Sequence, residues 1–160
     1  MIERKLLFVC LGNICRSPAA EAVMAEKLLR AGMGTRIKCD SAGIIGYHSG
    51  EKADVRMRKH ALQRGDKLTS LSRKVKSDVD FDHFDLIIGM DEQNIKDLNL
   101  LVRSSADLKK IFRMTDFSSQ TSYDHIPDPY YGGSDGFELV LDLLEDACDG
   151  LLEYLRNKGN

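Results

Sequence analysis

Two short apolar runs, each passing straight into a helical pattern, limit the fold of this chain more than any other feature. Leu6 to Cys10 has no polar alternation and reads as a strand buried on both faces. Asp85 to Met90 ("DLIIGM") reads the same way and leads into a helix over about Glu92 to Leu101. Shorter strands are expected over Arg36 to Asp40, closed by Ser41-Ala42-Gly43, and more weakly over Lys110 to Arg113. After the first run, Ser17 stands as N-cap with Pro18 at the first helical position. Ala20, Val23, Met24, Leu28 and Ala31 then recur at helical spacing until Gly32 stops the helix. A second helix is expected from about Ala53 to Gln63, ended by Gly65. The last helix carries one apolar stripe from Phe137 through Val140, Leu144 and Leu151 to Leu155, with Asp135 and Glu138 spaced as a capping box. Strands alternating with helices imply parallel βαβ units with right-handed crossovers. In open sheets of that kind, a site forms beyond the carboxyl ends of the strands.

The 160 residues fit a single domain, 1–160, with an adequate core. No repeat or linker interrupts them. A formal charge of −2 argues against broad nucleic-acid binding, which draws on a basic excess. No apolar stretch is long enough to span a membrane. The opening "MIERKLLFVCLGN" has a basic flank and an apolar run, but the run is short and no small-residue cleavage site follows. The 4 cysteines are unevenly spread and do not read as a disulfide framework, which points to a cytoplasmic protein with reduced thiols.

Between the first strand and its helix stands "FVCLGNICRSP", Phe8 to Pro18. Its two cysteines, Cys10 and Cys15, could be a metal clip, a disulfide or a nucleophile with a neighbour. The cysteines lack the close pairing of structural zinc, and His48, His60, His83 and His125 are scattered. The aspartates of "SDVDFDHFD" lack the glycine and glutamate of a calcium loop, so they read as a solvated helical turn. No metal is expected. In the nucleophile reading, Gly12 and Asn13 tolerate positive φ and let the loop curl its N–H groups inward. N–H groups gathered at a helix N-terminus bind anions. Arg16 adds a planar fork of donors for two phosphate oxygens. A cysteine in such surroundings titrates at roughly 3.5–7.5, so Cys10 is expected to be ionised, with Ser17 donating toward the sulfur. The bland alternative is a small apolar residue ending a strand.

A second stretch, "IPDPYYGG", sets Asp128 before Pro129, Tyr130 and Tyr131. Composition alone makes it a turn. Beside a phosphate loop it has a use: cleaving an aryl phosphate expels a phenolate whose conjugate acid has a pKa of about 10. A carboxylic acid at the leaving oxygen lowers that barrier. Asp128 can supply the proton and then activate the water that frees the enzyme, with the tyrosines as flat walls.

Together these residues resemble the low-molecular-weight protein tyrosine phosphatases. The likeness spans nearly the whole chain: "VCLGNICRSP", "DSAG" at Asp40 to Gly43, "MDEQN" at Met90 to Asn94, and "DPYYG" at Asp128 to Gly132. The resemblance implies a flavodoxin-like, three-layer α/β fold with a four-stranded parallel sheet in the order 2-1-3-4 and helices on both faces. It implies a phosphocysteine on Cys10, phosphate binding by Leu11, Gly12, Asn13, Ile14, Cys15 and Arg16, and Asp128 as general acid, with no cofactor. It further implies a hydrogen-bond network through Asn13, Ser17 and Ser41, orientation of Arg16 by Asp91, and pocket walls from Leu11, Tyr47, Tyr130 and Tyr131. Cys15 matches the family's second cysteine, a redox partner of the nucleophile. The implied partner is a phosphotyrosine-containing protein, with no nucleic acid or membrane, and the chain is expected as a monomer or weak homodimer. One departure is visible: the family often joins a histidine to the asparagine network where Ser70 stands here.

Three rival readings are weighed on residues. Arsenate reductases of this fold carry further cysteines after the third strand, where "IIGMDEQNIKDLN" has none. Arginine phosphatases resemble this loop but carry threonine where Ile14 stands. A noncatalytic phosphate-binding module would not need both Cys10 and Asp128.

Overall fold

The computed structural model describes residues 3–130 and 133–158. Four strands, β1 (Arg4–Cys10), β2 (Ile37–Gly43), β3 (Leu86–Gly89) and β4 (Ile111–Arg113), pair in parallel in the order β2-β1-β3-β4. The helices are α1 (Arg16–Arg30), α2 (Val55–Gln63), α3 (Ser77–His83), α4 (Glu92–Leu101), the single turn α5 (Ser105–Leu108) and α6 (Ser134–Lys158). A 3-10 turn at Met114–Phe117 follows β4.

The apolar run of β1 is explained by its place. It lies between β2 and β3, and successive side chains enter opposite layers. Leu6, Phe8 and Cys10 join the core built with α1 and α6, including Val23, Leu28, Phe137 and Leu144. Leu7 and Val9 join a smaller core with Phe81, Phe84, Ile87 and Leu98. The expected order and the three layers therefore stand. So does the bound of α4, while β2 runs on through Ser41-Ala42-Gly43 to pair with the end of β1.

Three local readings need correction. Ser17 is not an N-cap: α1 begins at Arg16, Cys15 holds the cap position without a side-chain bond, and Pro18 sits two residues into the helix. Asp135 and Glu138 do not form a capping box, since α6 starts at Ser134 and the Glu138 carboxylate turns to His60 of α2 and to Arg64 just past its end. The aspartate turn is not wholly solvated. It forms α3, in which Asp80 is buried against Arg73.

Helix α6 crosses the 3-10 turn so closely that a Cβ on Gly150 would lie 1.8 Å from the Phe117 carbonyl oxygen. Backbone stands on both sides of that contact, so no side chain can swing away. Gly150→Ala is expected to destabilise the fold by about 3 kcal/mol, the upper range for overpacking. For a chain of this size the melting temperature should drop by about 6–12 °C. A thermal melt within 2 °C of the parent, on the scale of roughly 0.5–1 kcal/mol, would show that the helix has room to shift.

Candidate active site

The carboxyl ends of β1 and β3 open on one edge of the sheet, and the loop from Leu11 to Cys15 curls there between β1 and α1. Its carbonyls face the scaffold. The Cys10 and Leu11 oxygens accept from the N–H groups of Ile44 and Ile45 at 3.0 Å each. The Gly12 oxygen accepts from Ser72 Oγ at 3.0 Å, the Ile14 oxygen from the Asp54 N–H at 2.8 Å, and the Cys15 oxygen from the Ala19 N–H at 3.2 Å. Among the described residues, no protein acceptor takes the N–H groups of residues 11 to 15. Outward carbonyls leave a ring of donors with no use except an anion.

Two residues make the curl possible. Asn13 takes φ 58°, the left-handed region that its short polar side chain tolerates. Gly43, at the end of β2, lies under the loop, where a Cβ would stand 2.9 Å from the Leu11 oxygen and 3.1 Å from the Asn13 nitrogen. The glycine of "DSAG" is thus required by the close approach of two backbones.

Cys10 is 3% exposed at the floor of the pocket. Ser17 Oγ lies 3.0 Å from its sulfur, and Asn13 Nδ2 donates to the same hydroxyl at 2.7 Å. Because the Ser17 oxygen accepts from the amide, its own hydrogen is left to donate. A sulfur that attacks as its anion carries no hydrogen and can only accept, so in that form the Ser17 hydroxyl, which also lies 3.4 Å from the Ala42 oxygen, is the donor of the pair. The hydroxyl read as a helix cap instead serves Cys10.

Arg16, with 4% of its side chain exposed, is aimed by Nη1, which donates to Asp91 Oδ2 at 2.6 Å and to the Ile126 oxygen at 3.0 Å. Asp91 does two things at once: its other oxygen caps α4 by accepting from the Asn94 N–H at 2.8 Å. A buried guanidinium is tolerated only when paired in this way. Its Nη2 is left 3.7 Å from Asp128 Oδ2. Asp128 in turn accepts from the Tyr130 N–H at 3.0 Å. The loop carrying it is strapped to the phosphate loop by Arg56. This residue pairs with Asp54, donates to the Tyr130 oxygen at 3.0 Å, and lies over the Tyr130 and Phe137 rings.

The pocket has a volume of about 370 Å³. Cys10, Leu11, Gly12, Ile14, Cys15, Arg16, Asp128, Tyr47 and Tyr130 all line it, so the two distant motifs meet. Tyr131 lies outside the described residues. Two lining residues had no signal in the sequence: Ile45 and His48, which arrive from the turn after β2. His48 packs its ring edge on Gly12 and pairs with Glu51. Burial pushes the Cys15 thiol far above its ordinary value, and Asp54, Cys10 and Asp128 add to the effect. Cys15 therefore stays a neutral thiol in a loop that receives an anion.

Ser41 and Ser70 do not join the Asn13 network. Both hydroxyls face Glu21, whose carboxyl is raised by burial. The amide of Asn13 is instead bonded to Ser17 and, through its oxygen, to the Arg73 backbone N–H at 3.0 Å. No residue near Ser70 marked Arg73 for this part, because the contact uses only its backbone.

A cysteine under a ring of backbone donors, an arginine beside it and a carboxyl across the pocket, on a doubly wound parallel sheet, define the class of cysteine-dependent phosphatases. The family model described as low molecular weight phosphotyrosine protein phosphatase matches residues 5–160, and the chain belongs to that family. A crystal structure of a protein tyrosine phosphatase from Entamoeba histolytica superposes with a TM-score of 0.94 at 47% identity, covering 99% of this chain and 100% of that one. A low molecular weight protein-tyrosine-phosphatase of Bacillus subtilis is 38% identical over 156 residues, 96% of each chain. A Drosophila arginine phosphatase superposes with a TM-score of 0.87 at 29% identity, covering 94% of this chain and 96% of that one. Among the described residues, no helix is long and apolar enough to cross a membrane.

Proposed function

We propose that this protein tyrosine phosphatase works through Cys10, Arg16 and Asp128 on phosphotyrosine in proteins of the cytoplasm. The observation that carries the reading is the loop beside the Cys10 sulfur, in which the carbonyls of Leu11, Gly12, Ile14 and Cys15 are taken up by the scaffold while the N–H groups of residues 11 to 15 have no protein acceptor among the described residues. Unused N–H groups and Arg16 hold the phosphoryl oxygens, and that hold sets phosphorus in line with the sulfur. Cys10 Sγ forms a bond to phosphorus as the bond to the phenolic oxygen breaks. Asp128 hands its proton to the departing oxygen. The Asp128 carboxylate then takes a proton from water, whose oxygen bonds to phosphorus while the S–P bond breaks. Phosphate leaves and the thiolate returns. Leu11, Tyr47 and Tyr130 supply apolar walls suited to an aromatic ring.

Cys15 fits a resolving role. If peroxide converts Cys10 to a sulfenic acid, attack by the Cys15 sulfur forms the S–S bond and releases water, which stops further oxidation of Cys10.

Ile14 decides between phosphotyrosine and phosphoarginine. Its side chain reaches the pocket and offers no hydrogen bond to a guanidinium-linked phosphate or to the attacking water. We expect a higher kcat/KM for a phosphotyrosine peptide than for the matching phosphoarginine peptide. Ile14→Thr should shift the ratio toward phosphoarginine by about tenfold, the scale of one added hydrogen bond. Faster turnover of phosphoarginine by the parent protein would overturn this choice of substrate.

A further inference from the structure

The hydrogen-bond chain that ends on Cys10 has a direction, and that direction is set far from the sulfur. Asn13 can present either end of its amide to a partner. A backbone N–H can only donate, so the Arg73 N–H holds the Asn13 oxygen to itself. The amide nitrogen then has to face Ser17, whose own hydrogen is thereby left free to donate to Cys10. Reversing the amide would put two donors face to face at Arg73 and leave the buried Ser17 hydroxyl to donate away from the sulfur.

What keeps that N–H in place is the rest of Arg73. Its carbonyl accepts from the Gly43 N–H at 2.8 Å, which ties it to the glycine under the loop. Its guanidinium grips both oxygens of Asp80, at 3.0 and 3.2 Å, and reaches Asp40 at 3.1 Å. Asp80 is nearly sealed from water, with 4% of its side chain exposed, and is itself fixed by the Lys76 N–H at 2.8 Å. Although the Arg73 side chain is 30% exposed, a two-point arginine grip on a buried carboxylate sets orientation as well as distance. The neighbouring Ser72 hydroxyl supports the Gly12 carbonyl, so residues 72 and 73 prop the phosphate loop from below. None of these groups lines the pocket.

We propose that Arg73 is a positioning residue for the nucleophile: clamped by Asp80 and Asp40, it holds its own backbone N–H on Asn13 and thereby directs the Asn13–Ser17 chain to donate to Cys10. The inference rests on Cys10 being the nucleophile.

The test is a double-mutant cycle on folded proteins, read with p-nitrophenyl phosphate and with iodoacetate alkylation of Cys10 at neutral pH. Arg73→Met keeps the length of the side chain and removes the grip. It should lower kcat about tenfold, the scale of one displaced hydrogen bond to a charged group, with little change in KM. Alkylation should slow as well, because the sulfur loses support for its reactive, ionised form. Arg73→Lys, which keeps a charge on Asp80, should recover most of the loss. In an Asn13→Ala background, Arg73→Met should cost less than about twofold more, since both act through one chain. Additive losses would overturn the proposal. So would faster alkylation in Arg73→Met, the sign of a merely loosened loop. If Arg73→Met does not fold, Asp80→Asn, which retains an acceptor for Lys76, takes its place in the same cycle. A Cys10→Ser control separates the two levels: an active control sinks the nucleophile itself, whereas a dead control with an additive cycle sinks only the role of Arg73.

Discussion

Cys10→Ser is expected to abolish hydrolysis of p-nitrophenyl phosphate and of phosphotyrosine peptides, by at least about ten-thousand-fold in kcat. The exchange is close to isosteric, and Cys10 is buried among residues that need not move. The chemical difference is ionisation. A thiol is far more acidic than a hydroxyl and attacks as its anion, whereas a serine hydroxyl needs a general base. Among the described residues, the side chain hydrogen-bonded to the sulfur is the Ser17 hydroxyl at 3.0 Å, which is no such base. The donors themselves survive the substitution, so inorganic phosphate and phosphotyrosine should still bind, and the variant should retain substrate proteins when used as a trap. Activity surviving in Cys10→Ser would sink the covalent mechanism. Lost phosphate binding would instead mean that the loop collapses without the sulfur.

Asp128→Ala should separate substrates by their leaving group. With phosphotyrosine the departing phenolate is strongly basic, with a conjugate-acid pKa of about 10, and loss of the proton donor should cost about a hundred- to ten-thousand-fold in kcat. With p-nitrophenyl phosphate, whose leaving oxygen needs the proton far less, the loss should be much smaller. The geometry is consistent with this split. Asp128 lines the pocket across from Arg16, is held by the Tyr130 N–H, and reaches the phosphate loop through a long ion pair, 3.7 Å to Arg16 Nη2, which Asp91 and Ile126 hold without it. Its removal therefore leaves phosphate binding and attack in place. Steady-state kinetics over a series of aryl phosphates read the effect as a steeper dependence on leaving-group basicity. Equal losses across that series would remove the acid role and leave Asp128 as part of the wall.

Where sequence reading succeeded and where it failed follows from the range of the interactions. Strand β1 was legible because a central parallel strand must be apolar on both faces, and helix α4 because Asp91 caps it from within the same segment. The rule that made Ser17 a helix cap is also local, and it lost. A buried sulfur and the amide of Asn13 compete for the same hydroxyl, and both are stronger claimants in a dry site. Glu138 failed in the same manner, drawn from its own helix end to the charges of α2. Ser41 went to Glu21 because β2 continues past Asp40 and turns that side chain toward α1.

By itself the sequence carried the resemblance to the family, with the sheet order that resemblance implies, and the candidate reactive groups. Each depends on residue type at short spacing: a cysteine and an arginine bracketing a loop that can curl, and an aspartate before proline and tyrosine. The tertiary structure alone decided how those groups are held. The Ile126 carbonyl joins the expected Asp91 in aiming Arg16, Arg56 straps the loop of Asp128 to that of Cys10, and the Arg73 backbone orients Asn13. These contacts join residues 60 to 110 positions apart, several through backbone atoms common to every residue type. No pattern of side chains along the chain can announce a donor that is the same at every position; only the packing of β1, β2 and the segment at residues 72–73 around one loop gives that donor its partner.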